Sequence, residues 1–223
     1  MMLAIFDLDD TLTDGDSSSL WLQFMVQHGL AAADMLPREA ELMAAYRRGE
    51  LRMEDYMDFT LQPMQGRSVE EVAEWVERFI ADIIAPIVFD QARDTLARYK
   101  AEGRTLLVIS ATGEHLVGPI SRFLGADDFL AIQLATEAGC YTGHTHGVMT
   151  YQQGKVIRLQ QWLQQHGQSL AGSHGYSDSI NDVPLLQAVD VAYTVNADPK
   201  LAAVAAQQGW QPLFWSRQTQ PAT

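Results

Sequence analysis

Apolar runs and helical stripes alternate along this chain in a way that divides it into two textures. Leu3-Ala4-Ile5-Phe6 is a continuous apolar run of strand length, stopped by the acidic, Gly-containing stretch Asp7 to Asp16. Ser17-Ser18-Ser19 then supplies cap residues for a helix to about His28, which Gly29 ends. From there to about residue 85 the pattern predicts helices only. Arg38 to Arg48 stops at Gly49, and Met53 to Leu61 stops at Pro63. Ser68-Val69-Glu70-Glu71 is a capping box for a further helix. Its Val69, Val72, Val76, Phe79, Ile80 and Ile83 recur at helical spacing while Glu70, Glu71, Glu74 and Glu77 face away. Pro86 closes this block.

Beyond Pro86 strands and helices alternate. A helix over 90–101 leads through Gly103 into the apolar strand Thr105 to Ile109. A helix over about 114–124 leads through Gly125 to a strand at 129–132, and the Gly- and Thr-rich segment 139–154 reads as a hairpin. A helix over 155–166, a strand at 172–176, a helix after Ser179, a strand at 189–195 and a helix after Asp198 follow. Such alternation predicts an α/β fold, a parallel sheet covered by helices on both faces. The domain division expected is a core of 1–15 and 86–223, interrupted after the first strand by an all-helical block at 16–85.

Composition narrows the class. With 223 residues, 47% of them hydrophobic, the chain is long enough to bury a sizeable core. Its 15 Lys+Arg against 28 Asp+Glu give a net charge of −13, which argues against nucleic acid or an anionic membrane surface as partner. Cys140 is the sole cysteine, so no disulfide can close within the chain. No apolar run approaches the roughly eighteen residues of a membrane helix, and the first residues lack a basic flank and an apolar signal segment. A soluble cytoplasmic protein is expected.

The acid is unevenly placed. The first 37 residues hold six Asp and no Lys or Arg. In an open parallel sheet, ligands bind outside the carboxyl ends of the strands. Those ends carry Asp7-Leu8-Asp9-Asp10-Thr11, then Ser110, then Ser177-Asp178-Ser179 with Asn181-Asp182 following. If the ends are adjacent, Asp7, Asp9, Asp178 and Asp182 crowd together. Such crowding calls for a hard divalent cation, and carboxylates with few soft ligands suit Mg²⁺.

Phe6-Asp7-Leu8-Asp9-Asp10-Thr11-Leu12 resembles the signature of the haloacid dehalogenase superfamily of phosphatases, an Asp-x-Asp-x-Thr pattern after a buried strand. Its other three motifs are present in order: Ser110 after an apolar strand, Lys155 downstream, and Asp178-Ser179-Ile180-Asn181-Asp182. The helical insertion after the first motif resembles the phosphoserine-phosphatase-like branch, and within it the histidinol-phosphatase-like hydrolases. The resemblance implies a Rossmann-like core with a helical cap. It also implies a Mg²⁺-dependent phosphatase that cleaves a small phosphomonoester through an aspartyl-phosphate. Asp7 would then be nucleophile and Asp9 general acid and base. Ser110, Ala111 and Lys155 would hold the phosphoryl group. The metal would sit on Asp7, the backbone carbonyl of Asp9, and Asp178, supported by Asn181 and Asp182, with Asp182 orienting Lys155.

In that branch the insertion contacts the leaving group. Asp16, nine residues after Asp7, stands where the phosphoserine enzymes often carry a Glu for the substrate ammonium. Its acid suggests an amine-bearing substrate such as histidinol phosphate or phosphoserine. Arg38, Arg47, Arg48 and Arg52 are candidates for a substrate carboxylate. Two other classes use similar parts: a phosphotransferase or mutase working through the same intermediate, and a non-enzymatic Mg²⁺-binding phospho-receiver. The sequence His144-Thr145-His146 near Cys140 is a weak candidate for a zinc site.

Overall fold

The computed structural model describes residues 2–217. Seven strands form one sheet in the order β4-β3-β2-β1-β5-β6-β7. They are β1 Leu3–Phe6, β2 Thr105–Gly113, β3 Asp128–Glu137, β4 Cys140–His146, β5 His174–Ser177, β6 Val191–Val195 and β7 Gln211–Leu213. All neighbours pair in parallel except β3 and β4, which form an antiparallel hairpin. Period-two geometry divides the central strands between two cores. Leu3, Ile5, Leu107 and Ile109 pack with Leu159, Trp162, Leu185 and Leu201, carried by helices α7 (Gln153–His166), α8 (Val183–Ala188) and α9 (Pro199–Gln208). Ala4, Phe6, Leu106 and Val108 face the other way, onto Leu96, Tyr99, Val117 and Ile120 of α5 (Asp90–Ala101) and α6 (Glu114–Phe123). Strands buried on both faces explain why the sequence reads there as unbroken apolar runs.

Between β1 and α5 the chain is helical, as its pattern predicts: α1 Ser17–Gln27, α2 Met35–Arg48, α3 Met53–Thr60 and α4 Val69–Phe79. The Ser68 hydroxyl accepts the Glu71 N–H, so the capping box forms. The serine triplet does not cap α1. Asp16 takes that place, its carboxylate accepting the Ser19 N–H at 2.8 Å. A short antiparallel pairing joins the point where the chain leaves the sheet to the point where it returns. Asp14 N–H donates to the Ile87 carbonyl, Phe89 N–H donates to that of Leu12, and Thr13 bridges Val88. The β3–β4 hairpin grips the block from its other side, through bonds between Gly66 and Tyr141 and between Val69 and Gly139.

Three departures from the pattern have local causes. β2 continues past Ile109 through a register break before Gly113, so Ser110 to Thr112 lie in an irregular strand end. The hairpin is made by β3 and β4 turning at Ala138-Gly139, both at positive φ, so it starts earlier than the Gly-rich segment suggests. β7 is a three-residue edge strand containing Pro212, and its sequence carries almost no strand signal. No helix among the described residues is long and apolar enough to cross a membrane.

The entry to α7 is tightly built. Gln152, before its first residue, sits at φ 49° and ψ −122°, a costly conformation for a non-glycine residue. A Cβ on Gly154 would lie 1.9 Å from the Met149 carbonyl oxygen. Gly154→Ala must therefore move the backbone beside Lys155. Turnover in this variant is expected to fall by up to about 10²-fold, the scale of an ångström-sized misplacement. Steady-state kinetics beside a thermal melt check this, and wild-type turnover would show that the loop gives way freely.

Candidate active site

The strand order reverses beside β1: the chain lays β2 to β4 on one flank, then crosses to lay β5 to β7 on the other. Such a reversal opens a crevice at the carboxyl ends of the strands. A cavity of about 770 Å³ lies there, lined by residues from the segments that follow β1 and β5, from the end of β2, from α7 and α9, and from α1 to α3.

Asp7 follows β1 directly, its N–H donating to Tyr176 of β5. One Lys155 Nζ contacts Asp7 Oδ1 at 2.8 Å and Asp182 Oδ2 at 2.7 Å, and the Ser177 hydroxyl donates to that same Asp182 oxygen at 2.7 Å. All four side chains are buried. Burial opposes the charge on Lys155, but Asp182 and Asp7 outweigh it and hold the ammonium above its usual range. Burial, with Asp182 and Asp9 nearby, pushes Asp7 up to about 7 despite the pull of Lys155. One ammonium is too little positive charge for this group of acids.

Asp9 leans to the other side. Its Oδ2 accepts from the hydroxyls of Ser110 and Thr112, both at 3.0 Å, and its Oδ1 accepts the Ser17 N–H of α1 at 2.7 Å. Ser110 is fully buried and its hydroxyl is turned to Asp9, while Ala111 and Thr112 line the cavity. The sequence marks Ser177 only as a strand end, without a role, and does not mark Thr112. A polar residue two positions after Ser110, and one ending the strand before Asp178, were the available signals.

Asp178 follows β5 and faces the same cavity, its Oδ1 accepting from Thr11 at 3.0 Å. Burial and the charges of Asp7, Asp10 and Asp182 push its carboxyl well above the usual range. Among the described residues no three His, Cys, Asp or Glu side chains form a ready-made metal cluster. Asp7 and Asp178 both line this end of the cavity and offer carboxylate oxygens. Hard oxygen donors short of positive charge fit a hard divalent cation. His144 is exposed and stands 3.5 Å from Asp58, away from this cavity.

The helical side of the cavity carries Asp16, Glu39, Tyr46 and Tyr56. Asp16 is pushed up to about 7 by burial and by Asp9, Asp10 and Glu39, with the Ser19 N–H pulling the other way. Asn181 joins the two sides: its Nδ2 donates to Tyr46 Oη at 2.8 Å, and its Oδ1 accepts from Tyr151 and Gln152. Arg38, Arg48 and Arg52 do not reach the cavity and pair with Glu41, Glu50 and Asp55 on the surface. The Arg47 side chain lies outside what is described.

The sequence pattern of the haloacid dehalogenase-like hydrolases matches residues 4–187. The chain belongs to this haloacid dehalogenase-like family. A histidinol-phosphatase of Neisseria meningitidis serogroup C is 36% identical over 216 residues, 95% of this chain and 97% of that protein. A phosphoserine phosphatase of Mycobacterium tuberculosis H37Rv is 30% identical over 217 residues, 93% of this chain and 69% of that protein. Among solved structures, a protein of unknown function from Bordetella pertussis Tohama I aligns with TM-score 0.89 and 37% identity, over 95% of this chain and 97% of that one. The seven-strand, parallel-dominated sheet with a helical insertion after β1 is thus the haloacid dehalogenase-like fold in this chain.

Proposed function

We propose that this phosphoric monoester hydrolase cleaves a small, amine-bearing phosphomonoester through an aspartyl-phosphate at Asp7, with Mg²⁺ as its cofactor. The observation that carries the reading is the convergence of Asp7, Asp9, Lys155, Asp178 and Asp182 on one cavity from distant parts of the chain. The Asp7 carboxylate attacks phosphorus and the ester oxygen leaves with a proton from Asp9. Asp9 then takes a proton from the water that opens the acyl phosphate, so the net change is ester plus water to alcohol plus phosphate. The three donors on Asp9 hold it in reach of both steps. Lys155 offsets charge on the phosphoryl oxygens, and Asp182 with Ser177 fixes its position. The backbone at Ala111 and Thr112 meets the phosphoryl group, while Ser110 acts by orienting Asp9. Asp7, the Asp9 carbonyl and Asp178 would hold Mg²⁺, which supplies charge neutralisation for the transferring phosphoryl group.

Residues 16–85 act in this reading as a separate cap domain closing over the leaving group. Asp16 faces the substrate ammonium, and the histidinol-phosphatase and phosphoserine phosphatase relatives make such amines natural candidates. A screen of small organic phosphates tests the reading. Release of phosphate is expected with Mg²⁺, loss of it with EDTA, and recovery when Mg²⁺ is restored. Release that EDTA leaves untouched would remove the metal from the scheme. Transfer of phosphate to added alcohols in preference to water would favour the phosphotransferase.

A further inference from the structure

One hydroxyl of the helical block crosses the cavity to the core. Tyr46 lies in the last turn of α2, and its ring lines the cavity beside Tyr151, 6.1 Å away between centroids and tilted by 44°. Its Oη accepts Asn181 Nδ2 at 2.8 Å. That bond joins the block between β1 and α5 to the segment after β5 that carries Asp178 and Asp182. No motif marks Tyr46, and an aromatic residue on an amphipathic helix reads in sequence as ordinary packing.

The far end of the amide fixes the direction of this bond. Asn181 Oδ1 accepts from Gln152 Nε2 at 3.0 Å and from the Tyr151 hydroxyl at 3.2 Å, so Nδ2 is the atom that faces Tyr46. Nδ2 also lies 3.3 Å from the Ser179 hydroxyl oxygen, which accepts the Asn181 N–H too. Tyr46 is therefore the acceptor, and its own O–H proton must find another oxygen. No group among the described residues accepts it. Burial holds this phenol above its ordinary range, Tyr151, Asp182 and Asp7 adding to the effect and Lys155 opposing it, so it stays a neutral donor. The ionised groups that act on it are those on which the phosphoryl group would sit.

We propose that Tyr46 is a substrate-binding residue contributed by the helical block, donating its phenol O–H to a nonbridging phosphoryl oxygen while Asn181 sets the direction of the donor. A transferring phosphoryl group spreads charge over three such oxygens. Lys155, already shared between Asp7 and Asp182, does not serve them all. A neutral donor aimed at this charge adds stabilisation without burying another ion. Tyr46 therefore reads the phosphoryl group itself and is indifferent to the leaving group, which Asp16 faces. The phosphoryl site is complete only with α2 in place against Asn181. This inference rests on the phosphatase reading above and extends it to a residue that no motif marks.

The test is the dissociation constant of orthovanadate, which presents phosphoryl-like oxygens and has no leaving group. Calorimetry with Mg²⁺ present measures it on the wild type, Tyr46→Phe, Asn181→Ala and the double variant. Tyr46→Phe keeps the ring beside Tyr151 and removes only the hydroxyl. Its constant is expected to rise by about 10- to 100-fold, the range of one hydrogen bond to a charged group. Its kcat/KM should fall by a similar factor for p-nitrophenyl phosphate and propyl phosphate alike. A dissociation constant does not depend on the fraction folded, so partial unfolding does not mimic the effect. In the double variant the constant should rise beyond that of Asn181→Ala, because the hydroxyl touches the ligand itself. An unchanged constant in Tyr46→Phe overturns the contact, as does a double variant that binds no more weakly than Asn181→Ala, or a rate loss confined to one leaving group. Each of these leaves the phosphatase reading standing, whereas a wild type that releases phosphate from no phosphomonoester overturns both.

Discussion

Phosphate release by the Asp7→Asn protein is expected to fall by about 10⁴-fold or more, with the fold retained. The amide has no nucleophilic oxygen for phosphorus, so the route through an acyl phosphate closes. Its carbonyl still accepts from Lys155, whose other bond, 2.7 Å to Asp182, is unaffected. Stability moves in the opposite direction from activity. Asp7 is pushed up to about 7 in the fold against an ordinary value of 3.8, so ionising it opposes folding as pH rises between those values. In EDTA at pH 8 the Asp7→Asn protein should melt no lower than the wild type. Initial rates, a trap for labelled phosphoprotein and a melt at pH 8 check all three parts. Turnover within tenfold of wild type would remove Asp7 as nucleophile. A stable phosphoprotein in the wild type, with no phosphate released, would favour the phospho-receiver instead.

How much of this was legible depends on what each residue leans against. Asp7 and Asp178 both follow buried strands, but an apolar run ending in an acid marks only Asp7; β5 reads His-Gly-Tyr-Ser, so Asp178 is marked by its motif, and the α/β pattern sends both to one end of the sheet. Lys155 and Asp182 belong to ordered motifs whose spacing carries the signal. Ser110 is different: the motif marks the residue, and only the folded strand end shows its hydroxyl turned to Asp9 with Thr112 as companion. The three serines before α1 were legible as a cap, yet Asp16 competes for the same position and its carboxylate reaches Ser19 N–H. Cap-side residues are harder still. Glu39, Tyr46 and Tyr56 meet across helices whose mutual packing no local pattern encodes, although an acid on an apolar stripe was a readable anomaly.

Lys155→Met should cost both stability and rate, because the ammonium is the positive charge that two buried acids share. Removing one partner from a buried ion group typically costs about 3–5 kcal/mol, since the remaining charge stays desolvated. For a chain of this size that is a melting-point loss of about 10 °C. Asp182 keeps the Ser177 hydroxyl, but Asp7 loses the ion pair that now lowers its pKa, so its folded value rises beyond about 7. The sign of the pH dependence follows. A carboxyl raised in the fold costs nothing while both states are protonated, and its penalty grows as pH climbs through the ordinary value of 3.8 toward the raised one. The gap in melting temperature from wild type should therefore be wider at pH 8 than at pH 5. Turnover should fall by about 10²- to 10³-fold, the scale of removing one preorganised donor to transition-state charge. Melts in EDTA at the two pH values separate these effects from metal binding. A gap that is the same at both would mean that Asp7 does not depend on Lys155 for its charge.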